Sequence, residues 1–187
     1  MDAFELLTTR SSTPRLQAPA PAGEDWQLIQ KAAMRTPDHG GLKPWSFIVF
    51  NNEAALLKLG DFFAQAVQAA NPDAQEAAIE KARGKSLRAP MVIACIAKVQ
   101  EHPKVPKVEQ VIAAGCAVMA MQQAAFALGF GGVWRTGANA YNPLMKTLLG
   151  LEAQDEIVGY LYLGTAQTSI AIKSEKDVEP HFVEFKP

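Results

Sequence analysis

Residues 110–137 read QVIAAGCAVMAMQQAAFALGFGGVWRTG. From Gln110 to Gly129 there is no charged side chain, and about 20 such residues in a helix can span a bilayer. Three glutamines, Gln110, Gln122 and Gln123, interrupt the stretch, and much of the rest is Ala or Gly. Alanine adds little to membrane insertion, and no positive cluster flanks the segment to orient it. An uncharged helix of this kind reads as the central helix of a folded domain. It starts near Pro106, a residue suited to a first helical turn, and stops at Gly129, about 34 Å later at ~1.5 Å per residue. A small domain cannot cover so long an apolar helix, and its Ala and Gly residues let another backbone come close. A second copy of the chain is therefore expected against it.

On the C-terminal side, GFGGVWRTG (129–137) reads as a glycine-rich turn around a short strand. NPLMKTLLG (142–150) reads as a short helix ended by Gly150. IVGYLYLG (157–164) reads as a buried strand. The tail, 165–187, contains the aromatic, strand-like run HFVEF (181–185). On the N-terminal side, MVIACIA (91–97) is a second buried strand and WSFIVF (45–50) a third. Helices are expected over 53–70 and 74–83, separated by NPD, and from Glu24 to Arg35, where Thr36-Pro37 ends the run. TPRLQAPAPAG (13–23) reads as an extended loop, and 3–10 as a short helix with Asp2 as N-cap. The connections between strands are too long for a meander of hairpins. The economical architecture is an α+β or α/β sandwich, a sheet covered by helices, in one domain spanning 1–187.

Composition narrows the function. The chain of 187 residues carries 18 Lys+Arg against 19 Asp+Glu, a net charge of −1. A general nucleic-acid binder usually shows a basic excess, so no nucleic-acid partner is expected, although one local basic pocket remains open. At 49% hydrophobic and 20% charged residues the chain is too apolar to be disordered. Cys95 and Cys116 both sit in apolar surroundings and read as buried thiols in a reducing compartment. Two cysteines make no disulfide scaffold, and no ligand spacing suits zinc. The N-terminus, MDAFELLTTR, has acids where a signal peptide carries positive charge. A cytoplasmic location with no membrane partner is the expectation.

Several catalytic motifs are absent. There is no Walker-type phosphate loop and no nucleophile elbow. Gly129 and Gly131 start a G-x-G pattern, but Trp134 stands where the third glycine belongs. His39, His102 and His181 have no metal-ligating partners at useful spacing. Four segments remain. TTRSSTPR (8–15) offers Arg10 as a planar cation with the hydroxyls of Ser11 and Ser12, or else a solvated helix end. MRTPDHGGLKPW (34–45) puts Arg35 and His39 around Gly40-Gly41, where a backbone can approach a ligand closely; the plain alternative is a surface loop. GGVWRTGA (131–138) sets Trp134, Arg135 and Thr136 in consecutive positions, which suits a flat heteroaromatic ligand with carbonyl acceptors, or else an edge strand with Trp134 in the core. In YLYLGTAQ (160–167), Gly164-Thr165 ends a strand where ligands of open sheets collect. Arginine-bearing turns without a metal, thiol or catalytic dyad favour a bound organic cofactor that does the chemistry.

Arg10-Ser11-Ser12 with Arg15, PDHGGLKPW, RAPMVIACIAK, AAGCAVMAMQ, GFGGVWRTG and IVGYLYLGT, in this order and spacing, resemble the flavin-dependent nitroreductases from Met1 to about Thr165. The resemblance implies a mostly antiparallel sheet wrapped by helices and an intertwined homodimer with noncovalent FMN at its interface. It implies FMN contacts at Arg10, Ser11, Ser12, Arg35 and His39, with Trp134, Arg135 and Thr136 supplied by the partner subunit. It also implies NAD(P)H as electron donor, meeting Ala124 to Gly129, and a nitroaromatic or quinone-type acceptor reduced in ping-pong turnover. No side chain is expected to be catalytic in its own right. An FMN-binding carrier or regulatory protein with little turnover is the alternative. The family usually has a second arginine where this chain has Ser11, and often glutamine where it has Lys43. That lysine either meets the flavin or faces solvent.

Overall fold

The computed structural model describes residues 1–169, 174 and 177–186. Asp2 caps helix α1 (Ala3–Thr9), its carboxylate accepting from the Glu5 N–H at 2.9 Å. A two-residue strand β1 (Leu16–Gln17) leads to α2 (Gly23–Met34), β2 (Trp45–Phe50) and α3 (Glu53–Ala70), which Asn52 caps. Helix α4 (Glu76–Arg83) precedes β3 (Met91–Ala97), and α5 (Lys107–Ala127) precedes β4 (Gly131–Arg135). Short helices α6 (Ala138–Tyr141) and α7 (Pro143–Leu148) lead into β5 (Glu156–Ala166).

The sheet runs β1-β5-β3-β2, with β4 also on β5, and every pairing is antiparallel. Side chains alternate across a strand, so β5 sends Tyr160 and Tyr162 to one face and Leu161 and Leu163 to the other. On the first face they join Phe63, Leu59, Ile96 and Met145 under α3 and α7. On the second they join Ile29, Met121, Val118 and Cys95 under α2 and α5. Helices on both faces explain why all seven residues of β3 are buried, and why the sequence there is continuously apolar.

Helix α5 is the one described helix long and apolar enough to cross a membrane, yet eight of its residues are buried inside the fold. Both interior amides are bonded. Gln110 donates to the Gln100 and Val105 carbonyls, and Gln122 donates to the Gly132 carbonyl. The opposite stripe is bare, with Val108 60% and Ile112 59% exposed.

Five expectations change. The 13–23 segment is not all loop, because Leu16 and Gln17 pair with Ala166 and Thr165. For the same reason Gly164-Thr165 does not end a strand: β5 runs on to Ala166 under β1, and the Thr165 hydroxyl donates to the Pro19 carbonyl. HFVEF forms no strand; Phe182, Val183 and Phe185 are 78%, 90% and 89% exposed, with no sheet edge beside them in this chain. Cys95 is buried but Cys116 is exposed, since it lies on the bare stripe of α5. Pro106 is the N-cap of α5 rather than part of its first turn.

Candidate functional site

Glycines shape the start of β4. A Cβ at Gly131 would come 2.6 Å from Leu16 Cδ2 and 3.3 Å from the Thr13 side chain, so glycine here lets the N-terminal arm lie close without the Leu16 and Thr13 side chains shifting. The Thr13 N–H donates to the Gly132 carbonyl at 2.9 Å, and Gln122 Nε2 donates to the same oxygen at 3.0 Å. The arm that follows α1 is thereby fixed against β4. Arg10 caps α1 through its N–H to the Leu6 carbonyl. Ser11 and Thr13 are buried and Ser12 is exposed. Arg10 Nη1 and Thr13 Oγ1 are buried without a hydrogen-bond partner among the described residues. Such groups cost free energy unless a ligand or water completes them.

At the other end of β4, neighbouring side chains part. The Trp134 ring lies on the α5 side, where a Cβ at Gly115 would sit 3.4 Å from it. Its indole N–H donates to the Val158 carbonyl at 3.1 Å. Val158 is the extra residue of a bulge, since Cys95 pairs with Gly159 and Ile96 with Ile157, and a bulge re-aims backbone groups. Arg135, opposite Tyr160, lies on the α3 side with Thr136, and both line a cavity of about 360 Å³. Arg135 Nε is buried without a partner among the described residues.

The second cluster is elsewhere. Arg35 closes α2 and is exposed. His39 Nδ1 lies 2.7 Å from Glu109 Oε2 in the first turn of α5, where a carboxylate suits the positive helix end. Gly40 and Gly41 have positive φ, and so does Lys43 at +49°. The Lys43 N–H donates to the Asp38 carboxylate at 2.7 Å, and its side chain is exposed in this chain. Glu109, which holds His39, and Gln122, which holds Gly132, are 122 − 109 = 13 residue steps apart along the helix, about 20 Å at ~1.5 Å each. One chain therefore docks the Arg10–Thr13 arm on β4 but anchors His39 far along α5.

Sequence reasoning passed over Gln122, Lys85 and Arg88. Gln122 left a signal, because an amide inside an apolar helix needs a partner. Lys85 and Arg88 left none, since nothing in the sequence ties them to Arg135, which shares their cavity. Cys95 is no nucleophile: burial pushes its thiol up to about 12, although the Leu161 backbone opposes this. No group of three metal-ligating side chains occurs among the described residues.

A five-stranded antiparallel sheet, a long buried helix and an arginine-bearing arm on a glycine-rich strand define a known class. The chain matches the nitroreductase family over residues 7–165 and belongs to it. Among its relatives is the Escherichia coli K12 protein described as "Putative NAD(P)H nitroreductase YdjA". It is 49% identical over 172 residues, covering 89% of this chain and 90% of that one. A nitroreductase-like family protein from Bacillus cereus superposes with a TM-score of 0.83 at 21% identity, over 100% of this chain and 97% of the other. A nitroreductase with bound FMN from Bacteroides fragilis superposes with a TM-score of 0.73 at 17% identity, over the whole of both chains. The fold expected from the sequence is thus the fold observed.

Proposed function

We propose that the protein is an FMN-dependent NAD(P)H oxidoreductase that reduces nitroaromatic or quinone-type acceptors in ping-pong turnover, as one domain over 1–187. The observation that carries this reading is the pair of buried, unpartnered guanidinium N–H groups, at Arg10 and Arg135, set against a strand that opens with two glycines. An anionic, polar, flat ligand matches that donor set, and the family relationship makes FMN the fitting one. When bound, FMN would supply the two-electron chemistry, taking hydride from NAD(P)H and giving electrons to the acceptor.

The chain's own residues bind and orient. Arg10, Ser11 and Ser12 would hold the phosphate and ribityl end, joined by Thr13, whose buried hydroxyl lacks a partner. Arg135 would place a fixed charge where negative charge develops. Thr136 is exposed at the same end of β4. Trp134 would act by its backbone and by fixing β4, because its indole N–H is already used on Val158. Arg35 and His39 would come from the partner subunit, in place of the expected Trp134, Arg135 and Thr136, in keeping with the 20 Å between the His39 anchor and Gln122. This grouping keeps the Arg10 arm and β4 in one chain, where the Thr13–Gly132 hydrogen bond already joins them.

That division needs a homodimer. The bare stripe of α5, Phe4 and Leu7 on α1, and Phe182, Val183 and Phe185 in the tail are the apolar surfaces it would cover.

The carrier reading keeps one observation in its favour. The segment Ala124–Gly129, where NAD(P)H is expected, is apolar, with Ala125 buried. The visible spectrum of the purified protein, followed anaerobically with NADPH and NADH added separately, decides. Flavin absorbance that bleaches quickly is the expected result. Flavin that persists unbleached selects the carrier. No flavin after incubation with FMN overturns both.

A further inference from the structure

The cavity beside Arg135 gathers positive charge from two distant parts of the chain. Lys85 and Arg88 come from the turn between α4 and β3, and Arg135 from the end of β4. Thr136, Asn139, Tyr160 and Tyr162 complete the polar lining, and no carboxylate lines it among the described residues. The contrast with Arg83 is instructive. It lies two residues before Lys85 and is fully engaged, with Asp61 and with Glu80 at 2.9 Å. The three cavity cations form no ion pair among the described residues.

Arg88 bears on Lys85, and together with Arg135 it bears on Tyr162. Burial first, then the charges of Arg88 and Lys81, hold the Lys85 ammonium below its usual range. The Tyr162 phenol is pushed up to about 12 by burial, while Arg88 and Arg135 pull it the other way, so both guanidinium groups bear on one phenol. Arg135 Nε is buried and unpartnered. Like charges held together in partly buried surroundings repel, and the arrangement is relieved when an anion sits among them. The floor is aromatic, with Phe63 and Tyr160 meeting edge to face at 5.1 Å between ring centres. A volume of about 360 Å³ suits a substituted ring rather than a dinucleotide.

We propose that this cavity is an oxyanion subsite that takes the carboxylate of an aromatic electron acceptor. The proposal deepens the oxidoreductase reading and rests on it, because Arg135 and Thr136 also flank the position proposed for the cofactor. Acceptors bearing a carboxylate are then the preferred substrates, held through Lys85 and Arg88.

The test uses the full chain and the variants Lys85→Gln and Arg88→Gln, both at the cavity mouth, with folding checked by thermal melting. Turnover of 4-nitrobenzoate is compared with that of neutral 4-nitrobenzamide, and benzoate binding is titrated calorimetrically without any turnover. The expected result is a wild-type preference for 4-nitrobenzoate carried by KM, weakened by salt, and cut about tenfold or more in Arg88→Gln. Benzoate should bind the wild type at one site per chain and bind both variants more weakly. An equal preference in all three proteins, or no benzoate binding, overturns the subsite. If the variants instead lose FMN while acceptor preference is kept in the FMN-saturated enzyme, the cations belong to the cofactor's phosphate and the proposal is wrong. If they lose discrimination between NADPH and NADH instead, the oxyanion is the nucleotide's phosphate and the acceptor assignment is likewise overturned. Should the wild type bind no FMN at all, the oxidoreductase reading falls, and the benzoate titration still decides the cavity by itself.

Discussion

An arginine whose Nη1 is buried without a partner, as in Arg10, is hard to explain by stability alone, because an unsatisfied cationic donor costs free energy. Arg10→Ala should leave the melting temperature nearly unchanged and weaken FMN binding by roughly ten- to a hundredfold, the worth of a charge-assisted hydrogen bond. Flavin fluorescence titration measures it, and equal affinity in both proteins would remove Arg10 from the site. Residues like Arg10, Arg35 and His39 were legible in the sequence because cations between glycines, serines and prolines stand out. Their grouping was not. Only the Thr13–Gly132 hydrogen bond and the His39–Glu109 contact show which of them share an anchor. Lys43 is the reverse case: its substitution for glutamine was visible, but its left-handed backbone, held by Asp38, was not.

At the scale of elements, the bulge in β5 is the joint on which β4 depends. Gly159 has φ +144°, and a Cβ there would lie 2.3 Å from Trp134 Nε1 and 2.7 Å from the Arg135 carbonyl. Gly159→Ala should therefore destabilise the protein by about 2–4 kcal/mol through overpacking and backbone strain. Loss of the indole hydrogen bond should show as a shift in Trp fluorescence. The start of β5 carries a second joint, where Glu156 meets Lys107 and, at 3.0 Å, Lys146. Burial there opposes the charged form, yet the hydrogen bonds and charges of the two lysines prevail and hold the carboxyl below its usual range. A depressed carboxyl stabilises the fold above the ordinary carboxylate pKa, and that contribution is lost as pH falls through the lower folded value. With a third of the side chain exposed, screening keeps the effect small. Glu156→Gln should cost about 0.5 kcal/mol at pH 7 and nearly nothing near pH 3, as read from urea midpoints. Long elements such as α3, β3 and α5 could be read from periodicity alone, since burial dictates their composition. The two-residue β1 could not, because it exists only through its pairing with β5.

For the whole molecule, the decisive surface is the stripe Val108, Ile112 and Cys116 on α5. Ile112→Glu places a charge in the middle of it. If a second copy covers this face, the variant should run as a monomer in analytical ultracentrifugation and lose most of its flavin, because the proposed Arg35 and His39 contacts leave with the partner. Cys116 gives an independent reading: it should react slowly with a thiol reagent in the wild-type dimer and quickly in the variant. A wild type that is monomeric with a fast-reacting Cys116 would refute the arrangement. HFVEF belongs to the same scale. Its composition pointed to a strand, but it pairs with no strand among the described residues, and the proposed second copy would cover its exposed apolar side chains.

The sheet also has a history in time. Strand β5 pairs with β1, β3 and β4, and it is the last strand among the described residues. A ribosome adding ~5–20 residues per second completes every other strand before the one that joins them. The arm bearing Arg10 emerges first, yet its docking sites at Gly132 and Ala166 are among the latest made. Until then the apolar β3 has no partner on its β5 side. A nascent chain stalled before β5 is thus a client for chaperones, and the proposed cofactor site is complete only once β5 has been made.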